Sequence, residues 1–232
     1  GLTETESSVR DLGCEVFSAR VDVGDRAQMQ RFADAVHERF DAVDLLVNNA
    51  GVGLGAPFLD TELEDWDWIL PINLMGVVHG CHMFIPRMVQ RGRGGHIVNL
   101  SSAAGFFATP ALAAYSATKF AVLGLSEALR VELRPHGIGV TAICPGLINT
   151  PITRTSRMRG PSADEDSRAR VVRLYERRNY GPDRVAGRIL RAVERDRAVM
   201  PVTAEAWVMY VLSRAAPPLA RQVARAIEAA SR

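Results

Sequence analysis

The feature that most constrains this chain is a repeated switch between short, continuous apolar runs and longer stretches whose apolar residues recur three and four apart. Residues 43–47, 96–100, 138–143 and 198–202 are runs of the first kind, and residues 28–40, 64–90, 113–134, 185–193 and 204–230 are stretches of the second. A continuous apolar run suits a strand buried on both faces, and the wider spacing suits a helix with one apolar stripe. Strands separated by helices line up in parallel, which makes the expected fold α/β, a three-layer, doubly wound parallel sheet. Ligands in such sheets bind beyond the carboxyl ends of the strands, so the chemistry should lie there. Residues 14–23 alternate enough to be one more strand, and residues 2–12 read as the latter part of a helix stopped by Gly13. Pro145, Pro151, Gly160 and Pro161 break up the region after residue 143, which is rich in Arg, Ser and Asp. A mobile excursion above the sheet is expected there, with a substrate lid at about 151–182. Pro217 and Pro218 interrupt the last helical stretch. Residues 1–232 therefore read as one domain.

Composition removes several classes of function. With 47% hydrophobic and 23% charged residues, 232 residues can bury a substantial core in a soluble domain. A net charge of +2, with arginines spread along the chain, gives no reason to expect nucleic acid or an anionic membrane as a partner. Cys14, Cys81 and Cys144 are odd in number and lack a CxxC pair, so neither a disulfide framework nor a metal site is expected, and the compartment reads as reducing cytoplasm. The opening GLTETESSVRD has no cationic or apolar targeting pattern, and no apolar run reaches the length of a membrane span. Of the 28 Lys+Arg residues, Lys119 is the only lysine. Guanidinium is a planar fork, whereas ammonium is a compact point charge, so a position that stays lysine in an arginine-biased chain points to a need for ammonium.

That lysine stands four residues after Tyr115, on the same face of an expected helix. A phenol is a poor acid–base near neutral pH, and a neighbouring ammonium is expected to lower its pKa. Taken alone, a Tyr and a Lys sharing a helix face need mean nothing. Ser101 and Ser102 directly follow the run HIVNL, at a strand's carboxyl end, where Ser102 could hydrogen-bond a carbonyl oxygen or simply form a turn. Asn73 sits inside a helical run, where asparagine competes for backbone hydrogen bonds, so it either has a task or is exposed. The strand LLV ends in Asn48, Asn49, Ala50 and Gly51, two amides and two small residues that could seat a flat ligand. Gly51, Gly53 and Ala56 match a GxGxxA dinucleotide pattern, but Pro57 follows and no acidic residue closes a second strand about 20 residues on, so that match is rejected.

Taken in order, DV at Asp22 and Val23, NNAG from Asn48, Asn73, IVNLSS ending at Ser102, YSATK from Tyr115 to Lys119 and PGLINT from Pro145 to Thr150 resemble the short-chain dehydrogenase/reductase family, with its Rossmann-like sheet. The resemblance implies an NAD- or NADP-dependent oxidoreductase that interconverts a secondary alcohol and a ketone, small molecules both. Tyr115 would be the general acid–base, Lys119 would lower its pKa and hold the nicotinamide ribose, Ser102 would bond the substrate oxygen, and Asn73 would anchor a water in the proton relay. Asp22 and Val23 would meet the adenine. Asn49, Ala50, Gly51 and Ile72 would line the cofactor, and Pro145, Gly146, Ile148 and Thr150 would embrace the nicotinamide and its phosphates. The stretches GGHIVNLSSAAG, GIGVTAICPGLINTPI and LYERRNYGPDRVA are similar to dehydrogenase modules of actinobacterial proteins, some fused behind an α/β-hydrolase domain. That similarity implies an upstream hydrolase domain and a bulky, lipid-like substrate, for which Phe106, Phe107, Leu147 and Met158 are apolar candidates or else ordinary packing residues. Family members pair through two long helices, which implies a homodimer or homotetramer.

The sequence departs from the family at its start. The family opens with a strand and a TGxxxGxG turn, and these residues instead match the helix before the third strand. The expectation is that they belong to a larger protein and that a βαβ unit precedes them. Two other readings stay open: a non-catalytic binding or regulatory module of the same fold, and a subunit that mainly supplies oligomer contacts. An upstream glycine-rich turn would favour catalysis over both.

Overall fold

The computed structural model describes residues 1–160 and 163–231. In chain order it contains α1 (Leu2–Asp11), α2 (Arg26–His37), β1 (Leu45–Asn48), β2 (Leu54–Gly55), α3 (Leu63–Leu70), α4 (Gly76–Arg91), β3 (Gly95–Leu100), α5 (Ala113–Leu133) and β4 (Ile138–Cys144). There follow α6 (Ile152–Thr155), β5 (Arg157–Met158), α7 (Glu165–Arg178), α8 (Pro182–Glu194), β6 (Val199–Pro201), α9 (Ala204–Ala215) and α10 (Pro217–Ser231). The four expected apolar runs form one parallel sheet in the order β1-β3-β4-β6. Alternation along each strand then decides which layer a side chain joins. Ile97, Ile138 and Val140 pack under Val77, Cys81 and Met88 of α4 and Val122 of α5, while Val98, Leu100 and Ile143 pack under Ala192 of α8. The sheet is thus the middle of three layers.

Several expectations need correction. Residues 14–23 form no strand; a strand exists only by pairing, and among the described residues none lies beside them. Phe17, Val21 and Val23 instead pack against α2 and α4. β1 is consequently an edge strand with Leu45 39% and Val47 40% exposed. The helical stretch expected over 64–90 contains a π-helical turn, Pro71–Met75, between α3 and α4, closed by the Gly76 N–H donating to Pro71 O. A proline there lacks a donor, and the wider turn accommodates it. Leu63–Arg91 is thereby a continuous helical run of 29 residues, apolar and long enough to cross a membrane, contrary to the sequence reading. Half of its most apolar window is buried inside the fold, as in a core helix. Residues 204–230 divide at Ala216 into α9 and α10.

The expected mobile excursion over 151–182 carries α6, β5 and all of α7, although its Pro161 lies outside the described residues. β5 pairs in parallel with β2 through Leu54–Arg157 and Gly55–Met158. α7 begins with Glu165 and Asp166 and ends with Arg177 and Arg178, charges that complement its dipole. Below it, the fully buried Asp65 of α3 accepts Arg159 Nε and Nη2, each at 3.1 Å, which ties the excursion to the body.

Candidate active site

Three strands end at one place. Gly51 lies just beyond β1, Ser101 and Ser102 just beyond β3, and Pro145 just beyond β4. α5 crosses this edge and is pinned to it: Ser101 Oγ donates to Lys119 O at 2.8 Å, and Lys119 Nζ donates to Leu100 O at 2.9 Å. The approach is close enough that a Cβ on Gly105 would stand 2.8 Å from Lys119 O. Lys119 is only 5% exposed, and its Nζ lies 5.7 Å from the centre of the Tyr115 ring. Ser102 Oγ accepts from Ala104 N at 3.2 Å and donates to Pro145 O at 3.5 Å. It lies near enough to Tyr115 to pull the phenol pKa down.

Asn73 is fully buried rather than exposed, and its amide is committed to backbone. Its Oδ1 accepts from Val52 N at 2.8 Å, and its Nδ2 donates to Val52 O at 2.9 Å and to Thr118 Oγ1 at 3.3 Å. The π-helical turn aims this side chain at the segment after β1, and such turns recur where helices serve function. A Cβ on Gly51 would sit 3.4 Å from Asn73 Oδ1 and 3.5 Å from Lys119 Nζ. The glycine therefore leaves a cradle whose walls are an amide and an ammonium.

The electrostatics run opposite to the sequence expectation. Burial pushes the Tyr115 phenol above its ordinary value, against a hydrogen bond with Ser102 that pulls it down. Burial also drops Lys119 to about 8. Desolvation penalises both charged forms, and the ammonium is directed to Leu100 O rather than to the phenol oxygen. Near neutrality Tyr115 thus holds its proton and is poised as a donor. Tyr175 of α7, which the sequence reading passed over, is pushed up to about 12 by burial and by the nearby Tyr115 and Glu205.

The remaining expected residues divide. Pro145 O accepts from Ala103 N at 2.8 Å, and Gly146 is pressed against Thr203 and Glu205. Leu147 N donates to Glu205 Oε1 at 3.2 Å, and the other carboxylate oxygen of Glu205 pairs with Arg178 of α7. Ile148 is buried, and Thr150 O accepts from Thr153 Oγ1. Ile72 lies half-buried in the π-helical turn beside Asn73. Asp22 and Val23 stand where the sequence runs into α2; Val23 packs on the α4 side of the sheet, and Asp22 is exposed. Phe106 and Phe107 are core residues: they are 7% and 6% exposed and pack with Leu123, Ala206 and Ala220, and Phe106 meets Tyr210 edge-on. Met158 packs on Gly55 in the small ladder.

Sequence reasoning also missed a buried polar chain beneath the site. Asn48 Nδ2 donates to Asn99 Oδ1 at 2.8 Å, and Asn99 Nδ2 donates to Ser126 Oγ at 3.0 Å. Its signal was present, since amides inside otherwise apolar strands require partners. Cys81 and Cys144 are free, buried thiols raised to about 11 and about 12.

The model of the short chain dehydrogenase family matches residues 1–159. "Probable oxidoreductase EphD" of Mycobacterium tuberculosis is 40% identical over 231 residues, covering 95% of this chain and 39% of the relative. The chain thus spans about two fifths of that curated relative's length. Among solved structures, a short-chain dehydrogenase/reductase from Burkholderia phymatum in complex with NAD is 33% identical, with a TM-score of 0.78 over 92% of this chain and 79% of that one. A gluconate 5-dehydrogenase from Burkholderia cenocepacia in complex with NADP and tartrate is also 33% identical, with a TM-score of 0.61 over 65% of this chain and 59% of that one. With a strand-end cluster of Ser102, Tyr115 and Lys119 and a family model that matches more than half of its residues, the chain belongs to the short-chain dehydrogenase family.

Proposed function

We propose that the protein interconverts a secondary alcohol and a ketone with NAD or NADP, and that Tyr115 is the group that moves the proton. The observation that carries this reading is the convergence of Tyr115, Lys119, Ser102 and the Gly51–Asn73 cradle at the carboxyl ends of three adjacent strands. The cradle fits a ribose, since an ammonium and an amide flank a position that holds no side chain. The bound nicotinamide supplies or accepts the hydride. Tyr115 donates its proton to the ketone oxygen during reduction, and burial keeps that proton in place until then. Ser102 orients the same oxygen. Lys119, anchored on Leu100 O, supports the ribose. Asn73 fixes the segment at Val52 and so the wall of the cradle. Residues 145–150 close the nicotinamide side, held to α9 by Glu205.

Residues 151–182 serve as the substrate lid in this reading, which Tyr175 of α7 supports by lying near enough to Tyr115 to feel its charge. Of the apolar candidates for a bulky, lipid-like substrate, Phe106 and Phe107 are packed in the core, which leaves Leu147, beyond β4, and Met158, on β5. Association into a dimer or tetramer is supported by an apolar hollow of about 270 Å³ between α4 and α5, lined by Val78, Ile85, Leu125 and Leu129.

Cofactor titration and turnover of the full-length protein test the proposal. Tyr115→Phe should lower kcat/KM by about 10²- to 10⁴-fold while leaving cofactor binding saturable. No binding of either cofactor by the intact wild type, or near-normal turnover in Tyr115→Phe, would refute it.

A further inference from the structure

The turn at Asp22, Val23 and Gly24 pairs with no strand among the described residues and is held against one helical run at three points. His79 Nδ1 lies 2.9 Å from Val23 O, and because a carbonyl only accepts, this nitrogen carries the proton. Gly76, three residues earlier on α4, leaves room for the Val23 side chain: a Cβ there would stand 2.8 Å from Val23 Cγ2. Gly24 in turn faces Pro71, where an added Cβ would meet Pro71 Cβ at 3.0 Å. Within the turn, Asp22 Oδ1 accepts from Gly24 N at 2.9 Å, and Gln28 Oε1 accepts from Asp22 N at 3.1 Å.

Pro71, Asn73, Gly76 and His79 belong to one helical run. Asn73 of that run grips Val52, beside the Gly51 cradle, while Pro71 and His79 on either side of it meet Gly24 and Val23. The helical run thus bridges the cradle and the Asp22 turn and fixes one against the other. His79 is 8% exposed, so without its donor the Val23 carbonyl would lose the partner that faces it across the seam.

We infer that His79 is a positioning residue for the dinucleotide: it holds the Asp22–Val23 turn at a fixed distance from the Gly51–Asn73 cradle and thereby sets cofactor affinity. The inference rests on the proposed role of that turn as the adenine end of the cofactor site. His79 touches neither reacting atom, so its effect falls on binding and spares the chemical step. A residue that merely filled space would lower stability without separating the two.

The experiment uses the full-length protein and measures NADH and NADPH affinity by fluorescence titration, together with kcat at saturating cofactor. His79→Leu removes the donor at similar volume, and His79→Asn restores an amide N–H near the place of Nδ1. The expected result is about a tenfold rise in Kd for the preferred cofactor in His79→Leu, with kcat within about twofold of wild type. His79→Asn should recover affinity to within about threefold. Gly76→Ala, which presses on the Val23 side chain from the same helix, should weaken binding in the same direction and carries the test if His79→Leu does not fold. Unchanged Kd in His79→Leu, or an Asn variant as weak as the Leu variant, overturns the inference while the functional reading stands. Failure of the wild type to bind either cofactor overturns both.

Discussion

Replacing Lys119 by Met should stabilise the fold near neutral pH while abolishing turnover. The ammonium is 5% exposed, and burial lowers its pKa from 10.5 to about 8. At about 1.4 kcal/mol per tenfold in proton affinity, keeping it charged in the folded state costs about 3 kcal/mol. Against this stands its hydrogen bond to Leu100 O at 2.9 Å, whose loss costs about 1 to 2 kcal/mol. Met has a similar length and no charge, so the balance favours the variant by about 1 to 2 kcal/mol near pH 7.

The pH dependence separates this account from simple repacking. A lysine depressed in the folded state burdens the protein fully below about 8, and the burden fades as pH rises to 10.5, because the unfolded chain then binds more protons than the folded one. The wild type therefore gains stability over that window and the Met variant does not. By about pH 10.5 the variant should have become the less stable of the two, through the lost bond to Leu100. Urea unfolding of both proteins across this range measures the difference. A Met variant less stable than wild type at neutral pH, or a difference independent of pH, would refute the assignment of a buried, charge-strained lysine.

Two further substitutions probe the scaffold. Gly105→Ala would drive a Cβ to 2.8 Å from Lys119 O, a backbone atom that cannot swing away, so a loss of about 1 to 3 kcal/mol is expected by thermal or urea unfolding, along with lower turnover as α5 shifts. Asp65→Asn should cost about 2 kcal/mol near neutrality, because it halves the carboxylate that Arg159 grips. The Arg159 hydrogen bond holds the Asp65 carboxyl below its ordinary 3.8, so its contribution is present above that value and lost as pH falls through the folded one. The wild-type and Asn curves should therefore converge in acid, and parallel curves down to acid unfolding would show that Asp65 is not the anchor.

What the sequence could show depended on how local each signal was. The runs around Val98 and Val140 read correctly because a strand buried on both faces carries its environment in its own composition. Residues 14–23 carry the alternation of a strand but form none, since pairing is decided by chain that lies elsewhere. Phe106 and Phe107 follow directly on the Ser102 turn, and proximity in sequence suggested a substrate wall; α9 and α10, about a hundred residues later, bury them instead. Asn73 looked out of place in a helix, and it was, but neither its π-helical turn nor its grip on Val52 can be read from the helix alone. The Asn48–Asn99–Ser126 chain likewise joins residues from β1, β3 and α5.

The Tyr115–Lys119 pair shows the same limit in its electrostatics. Spacing of four residues correctly places both groups on one face of α5, and an exposed pair of that kind would have its phenol lowered by the ammonium. The outcome here is set by neighbours that no helix window contains. Leu100 O claims the ammonium, and burial, with Cys144 of β4 beside it, raises the phenol. A protein-only site with these surroundings favours the neutral phenol, which is the form that can donate a proton to a ketone. Lowering the phenol, as the proposed reaction would need in its oxidative direction, requires additional positive charge or additional donors near its oxygen. The cradle between Asn73 and Lys119 is where such a group would have to enter. Binding at that cradle and ionisation of Tyr115 are then thermodynamically linked: whatever lowers the phenol when bound must bind more tightly as the phenol ionises.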